Sequence, residues 1–144
     1  MKRIVRMLAL GLFLVPASLA HAQSGSITVE VAGINEAEGQ VSIGLHNGEA
    51  SFPGKGKVFM GAKVRVTGDT VSYTFKDVPF GTYAIGVYHD INSNGRLDRN
   101  FMGIPTEGYA FSNNLFGIFG RPPSFQKASF EVTGDQTVRI IVKY

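Results

Sequence analysis

The sequence predicts an all-β chain, an antiparallel β-sandwich of about seven strands, immunoglobulin-like or transthyretin-like, with one long structured loop. Three observations carry this. Short runs of strict apolar–polar alternation recur along the chain, and a period of two belongs to strands with one face against a core. Glycine, asparagine, aspartate and proline turn signals separate the runs at fairly regular intervals. No stretch sustains the spacing of an amphipathic helix.

The elements follow in order. Residues 1–22 read as a secretory signal peptide: Lys2, Arg3 and Arg6, then the apolar run MLALGLFLVPASLA, then Ala20-His21-Ala22 as a small-x-small cleavage pattern before Gln23. The apolar run is shorter than the roughly 20 residues of a comfortable membrane span. Residues 23–144 are expected to form a single sandwich domain. Its inward residues are Ile27, Val29 and Val31 in the first run, then Val41, Ile43 and Leu45. Val64 and Val66 follow, then Val71, Tyr73 and Phe75, then Tyr83, Ile85 and Val87. Phe130 and Val132, and lastly Val138, Ile140 and Val142, complete the set. The intervening residues would face water. A transmembrane β-barrel would need strands of about 9–11 residues, and most of these runs are shorter.

Two segments resist strand assignment, the glycine-rich 48–61 and the longer 90–127. A compact domain rarely carries so long a connection without function or structure of its own, and this one is too apolar to read as disorder.

Charge and cysteine content exclude several classes. The chain has 14 Lys and Arg against 11 Asp and Glu; with the three leader cations set aside, residues 23–144 carry 11 of each sign. The largest basic cluster, Lys55, Lys57, Lys63 and Arg65, falls short of the surface that displaces counterions from nucleic acid. The absence of cysteine removes disulfides, thiolate nucleophiles, zinc–thiolate sites and lipidation at an N-terminal cysteine.

The run HDINSNGRLDRNFMGIPTEGYAFSNN, followed by FGRPPSFQKASF, resembles the signature of the domain of unknown function 2141 family. The likeness extends over residues 23–144 and implies an exported bacterial protein of β-rich fold; it brings no established activity. The segment VPFGTY resembles the turn before a central strand in carboxypeptidase regulatory and transthyretin-like sandwiches.

Within that run, Asp90, Asn92 and Asn94 alternate, Gly95 follows, and Asp98 lies three residues later. Alternate oxygens in a tight loop can converge on calcium, with the Arg96 carbonyl and Glu107 completing the shell. Phe101 stands where an EF-hand places its closing glutamate, so a weak site, about 10⁻⁴ to 10⁻³ M, is the expectation. The competing reading is a metal-free hairpin turn centred on Asn94-Gly95, like that expected at Asn47-Gly48. On either reading a short segment after Arg96 is expected to pair with the strand ending at His89.

The reading that follows is an exported, non-enzymatic binding module, periplasmic or secreted. Phe101, Tyr109, Phe111, Phe116 and Phe119 would contact an unknown protein, glycan or small apolar ligand. One alternative is a small metalloenzyme or hydrolase using His46, His89, Asp90 or Glu107, if the two histidines share a rim. Another is a carrier of small apolar ligands with a cavity between the sheets. No G-x-S-x-G occurs, and Ser112 and Ser124 have no histidine beside them in sequence.

Overall fold

The computed structural model describes residues 23–54 and 56–144; the expected leader, residues 1–22, lies outside the described residues. The strands are β1 (Ser24–Ala32), β2 (Gln40–His46), β3 (Met60–Arg65), β4 (Thr70–Pro79), β5 (Gly81–Asp90), β6 (Tyr109–Phe111), β7 (Phe130–Val132) and β8 (Gln136–Ile141). A single-turn helix, α1 (Phe125–Ala128), lies between β6 and β7. Two sheets face one another. The smaller has the order β4-β1-β8; the larger has β3-β2-β5-β6, with β7 also on β5.

The period-two pattern does what the sequence demands. Ile27, Val29 and Val31 of β1, Val41, Ile43 and Leu45 of β2, and Tyr83, Ile85 and Val87 of β5 are buried in one core between the sheets. A fully buried aliphatic side chain contributes about 1.5–3 kcal/mol, so these three central strands dominate the stability. Tyr73 has the inward parity but remains 39% exposed. It sits on the edge strand β4, with its ring against Phe75 at 5.0 Å between centroids.

Four expectations are corrected. The sandwich is not wholly antiparallel, because β8 runs parallel to β1 from Ile27↔Gln136 to Ala32↔Ile141. Alternation fixes which face is buried, not which strand lies alongside. The partner of β5 after the polar loop is β6, through Gly86↔Phe111 to Tyr88↔Tyr109, and not a segment just after Arg96. Ser93 (φ 56°) and Gly95 (φ 82°) take positive φ, Asn94 does not, and neither does Asn47 or Gly48, so neither Asn-Gly pair forms the expected type I′ turn. Lastly, the outer face of the larger sheet is not wet. His46, Ala84 and Ser42 are buried there, because the long connections lay Phe52, Phe111, Phe125 and Ala128 over it as a second small core.

The free edge of β5 is shared. β7 covers Gly81–Tyr83 and β6 covers Gly86–Tyr88. Between them the Ser112 hydroxyl accepts from Ile85 N at 2.9 Å and donates to Ala128 O at 2.5 Å. A side chain thereby replaces the missing strand and leaves no orphaned donor at Ile85. Helix α1 starts after Pro122-Pro123, with Ser124 as its N-cap accepting from Lys127 N.

Candidate functional site

The segment 90–108 is held by three carboxylates, each bonded on both oxygens. Asp90 is fully buried at the end of β5. Its Oδ1 accepts from Asn94 N at 2.9 Å; its Oδ2 accepts from Gly95 N and from the Gln40 amide, both at 2.8 Å. Burial by itself would raise this carboxyl, but the Gln40 amide, the two backbone N–H groups and the Lys63 charge hold it below the usual carboxylate range. Glu107, 5% exposed, reaches back with Oε1 to Ile91 N and Oε2 to Asp98 N, each at 2.9 Å. Asp98 accepts from Asn92 Nδ2 at 2.7 Å and from Asn94 Nδ2 at 2.9 Å. Those two amide bonds lower its pKa.

This arrangement fits an ion poorly. Calcium needs six to eight oxygens turned toward one point. Here both carboxylate oxygens of Asp90, Asp98 and Glu107 face N–H donors, and the Asn92 and Asn94 amides turn nitrogen, not oxygen, toward Asp98. Asn94 Oδ1 accepts from Arg96 N at 2.9 Å. Among the described residues no group of three His, Asp or Glu side chains stands close enough to hold a metal. The loop is a brace of charge-assisted hydrogen bonds that fixes how the chain leaves β5.

The histidines do not share a rim. β2 and β5 are antiparallel neighbours, with His46 opposite Ala84 and His89 opposite Val41. Strands that run opposite ways end at opposite rims, so the two rings lie at opposite ends and on opposite faces of the sheet. His89 is fully buried, its Nε2 donating to Glu38 O at 2.7 Å and its Nδ1 meeting the Tyr144 hydroxyl at 2.6 Å. Only Asp90 and Glu107, of the four residues expected to act together, belong to one cluster. Ser112 is committed to the β5 edge.

The aromatic residues separate into three groups. Phe111 is buried and Tyr109 half-buried in the small outer core. Phe116 is 44% exposed, with the Lys143 ammonium 4.0 Å above its ring. Phe101 and Phe119 stand in solvent, 97% and 92% exposed.

A cavity of about 270 Å³ opens on the outer face of the larger sheet. The sandwich interior is filled by the core, so the cavity expected between the sheets lies instead on the outside. Its floor includes two glycines paired across neighbouring strands, Gly44 on β2 and Gly86 on β5; Gly61 of β3 continues the same level beneath Val58, outside the cavity. A Cβ added at Gly44 would come within 3.1 Å of His46 Nε2, and one at Gly86 within 3.5 Å of the Phe111 ring. Val58, Leu97, Tyr109 and Phe111 give apolar walls, and Arg99 lies at the side. Glycine inside a strand marks a place where something approaches the backbone closely. That was the one sequence signal for this site, and alternation of apolar residues does not reveal it.

His46 supplies the polar group at the bottom. The Ser51 hydroxyl donates to Gly48 O at 3.2 Å, so its oxygen accepts from His46 Nδ1–H at 3.3 Å. The neutral ring then presents a bare Nε2 lone pair to the glycine floor. Burial lowers the His46 pKa, outweighing the Ser51 bond, and keeps the ring neutral at neutral pH.

Among the described residues no helix is long and apolar enough to cross a membrane. No curated protein and no solved structure matches the chain. The sequence model of the family described as "Uncharacterized protein conserved in bacteria (DUF2141)" matches residues 29–140, from the first strand to the last. Over that span the polar brace, the glycine row and the two sheets are all included, and the chain belongs to the DUF2141 family.

Proposed function

We propose that the protein is an exported, non-enzymatic binding module that takes a small apolar ligand in the cavity over the Gly44–Gly86 floor. The observation that carries this is the floor itself. Two facing glycines remove side chains where the sheet would otherwise be covered, and a buried neutral imidazole is aimed into the space left. Ligand sites are concave and mostly apolar, with a few convergent polar groups. A bare Nε2 accepts but cannot donate, so the favoured ligand carries a hydroxyl or N–H at its buried end. The Arg99 guanidinium at the wall suits an anionic or polar group at the other end. The charged N-terminal run with its small-x-small pattern supports export, to the periplasm or beyond. The commitment of Ser112 to backbone bonds and the separation of His46 from His89 support binding over catalysis.

The test uses the anionic apolar dye 1-anilinonaphthalene-8-sulfonate as probe, with native mass spectrometry of the purified chain for a retained small molecule. Gly86→Val places two methyls on the floor, where a Cβ meets only ordinary contact with Phe111. Dye affinity should fall at least about tenfold, the loss of roughly 1.4 kcal/mol, while the melting temperature stays near wild type. Equal dye affinity in a folded Gly86→Val chain would remove the cavity as the site.

A further inference from the structure

Two loop tips stand side by side at one end of the molecule. The first is a small hairpin bridged at Arg99↔Pro105, the second a two-residue turn bridged at Ile118↔Arg121. They touch: a Cβ on Gly120 would lie 3.0 Å from the Gly103 carbonyl oxygen. The first tip holds Phe101 (97% exposed) and Met102 (66%), the second Ile118 (69%) and Phe119 (92%). Four large apolar side chains are thus exposed beside one another.

Part of the backbone in each tip is already paired within the tip. In the first tip the Asn100 side chain accepts from Met102 N and Ile104 N, Gly103 N donates to Asn100 O, and Asn100 N to Ile104 O. In the second, Ile118 and Arg121 exchange both backbone bonds at 3.0 Å. Phe119 also takes φ 50°, a conformation that costs a bulky residue about 1–2 kcal/mol and that Gly or Asn would adopt more readily. Phe119 and Gly120 (φ 72°) are the two central residues of the tight turn, which needs positive φ at both, so a bulky apolar residue stands at an apex that Gly or Asn would suit better.

The tips themselves carry only positive charge. Segments 99–106 and 115–127 contain Arg99, Arg121 and Lys127 and no carboxylate, with Asp98 and Glu107 flanking the first, in a stretch 23–144 that carries 11 charges of each sign. Arg99 is anchored at the base of the first tip by its bond to Gly103 O at 2.8 Å.

We propose that these paired tips dock on an anionic lipid bilayer. Phe101, Met102, Ile118 and Phe119 enter the boundary between headgroups and acyl chains, and Arg99 and Arg121 engage lipid phosphates. The bonds within each tip lower the cost of leaving water, and insertion only to headgroup level keeps the unpaired backbone groups of Phe101 and Phe119 within reach of water. Interfacial binding scales with buried apolar area plus attraction to anionic lipid, with about 1 kcal/mol for each Lys or Arg near the surface. A stable protein interface needs about 800 Å² per partner with matched shape; two small exposed tips fit a deformable surface better. The proposal shares Arg99 with the cavity wall but does not use the glycine floor or His46.

Flotation with vesicles of phosphatidylcholine alone, and of phosphatidylcholine mixed with phosphatidylglycerol, tests it. All chains carry the same N-terminus, verified by mass spectrometry, so residues 1–22 contribute equally wherever they are retained. Wild type should float with the anionic vesicles. The double variant Phe101→Ser, Phe119→Asn should lose at least about tenfold in apparent partitioning, and Asn suits the positive φ at 119, so folding is kept. Arg99→Gln, Arg121→Gln should lose the preference for anionic over zwitterionic vesicles; Gln at 99 can still donate to Gly103 O. Gly86→Val, which fills the cavity, should float like wild type. Wild type that does not float, or a double phenylalanine variant that floats equally well, overturns the proposal. So does a wild-type dimer, dispersed by that variant, without vesicle binding, which would assign the tips to a second copy of the chain.

Discussion

Asp90 makes three hydrogen bonds from full burial, and its removal leaves the Gln40 amide and two backbone N–H groups without an acceptor. Asp90→Ala should therefore cost about 2–4 kcal/mol in urea unfolding. The cost should be the same with and without millimolar calcium; a loss seen only with calcium would restore an ion to the loop. The Asp90 carboxyl is depressed on folding, so its contribution is present above its unfolded value near pH 4 and is lost as pH falls through the folded value. His46 acts at a higher window. Burial lowers its pKa from 6.5, so below that value the unfolded chain takes up the proton first. Stability should fall as pH drops through about 6.5, and level off once the folded ring is also protonated. His46→Gln should flatten that limb in a pH series of melting temperatures. The spacing of Asp90, Asn92, Asn94, Gly95 and Asp98 was legible in the sequence. Its meaning was not, because alternate carboxylates and amides suit a cation and a set of backbone N–H donors equally. The partners that decide, Gln40 and Ile91, are donors that carry no motif.

At the scale of the element, the connection before β2 and the loop after β5 interlock at Gly39. Its φ is 67°, and a Cβ there would lie against the Asp90 and Ile91 carbonyl oxygens. Gly39→Ala combines a left-handed backbone with a collision against main chain that has no freedom to yield. It should cost more than about 2 kcal/mol, measured by denaturant unfolding, and speed amide exchange in 90–98. Seven of the eight strands were readable from alternation, because each has a face to bury. β6 was not, since its three residues, Tyr109-Ala110-Phe111, are apolar throughout and show no alternation. Nor was the glycine row of the cavity floor. Gly44 and Gly86 sit at outward positions in alternating runs, where a small residue breaks no pattern, and only their pairing across strands gives them meaning.

For the whole molecule, fold class was the easiest level to read, since seven alternating runs separated by turn signals, with no helical spacing between them, leave little but two sheets face to face. The arrangement of strands needed the structure. The first strand lies at the centre of the smaller sheet, with the last strand running parallel beside it over six paired positions, from Ile27↔Gln136 to Ala32↔Ile141. Tension applied at Gln23 and Tyr144 would pull these two neighbours lengthwise past one another, so their bonds must break together and not singly. In single-molecule stretching, rupture from those two points should need a larger force than pulling at Gln23 and Phe80, which peels the antiparallel β1–β4 pair open one rung at a time. The chain would thereby resist being drawn out by its ends.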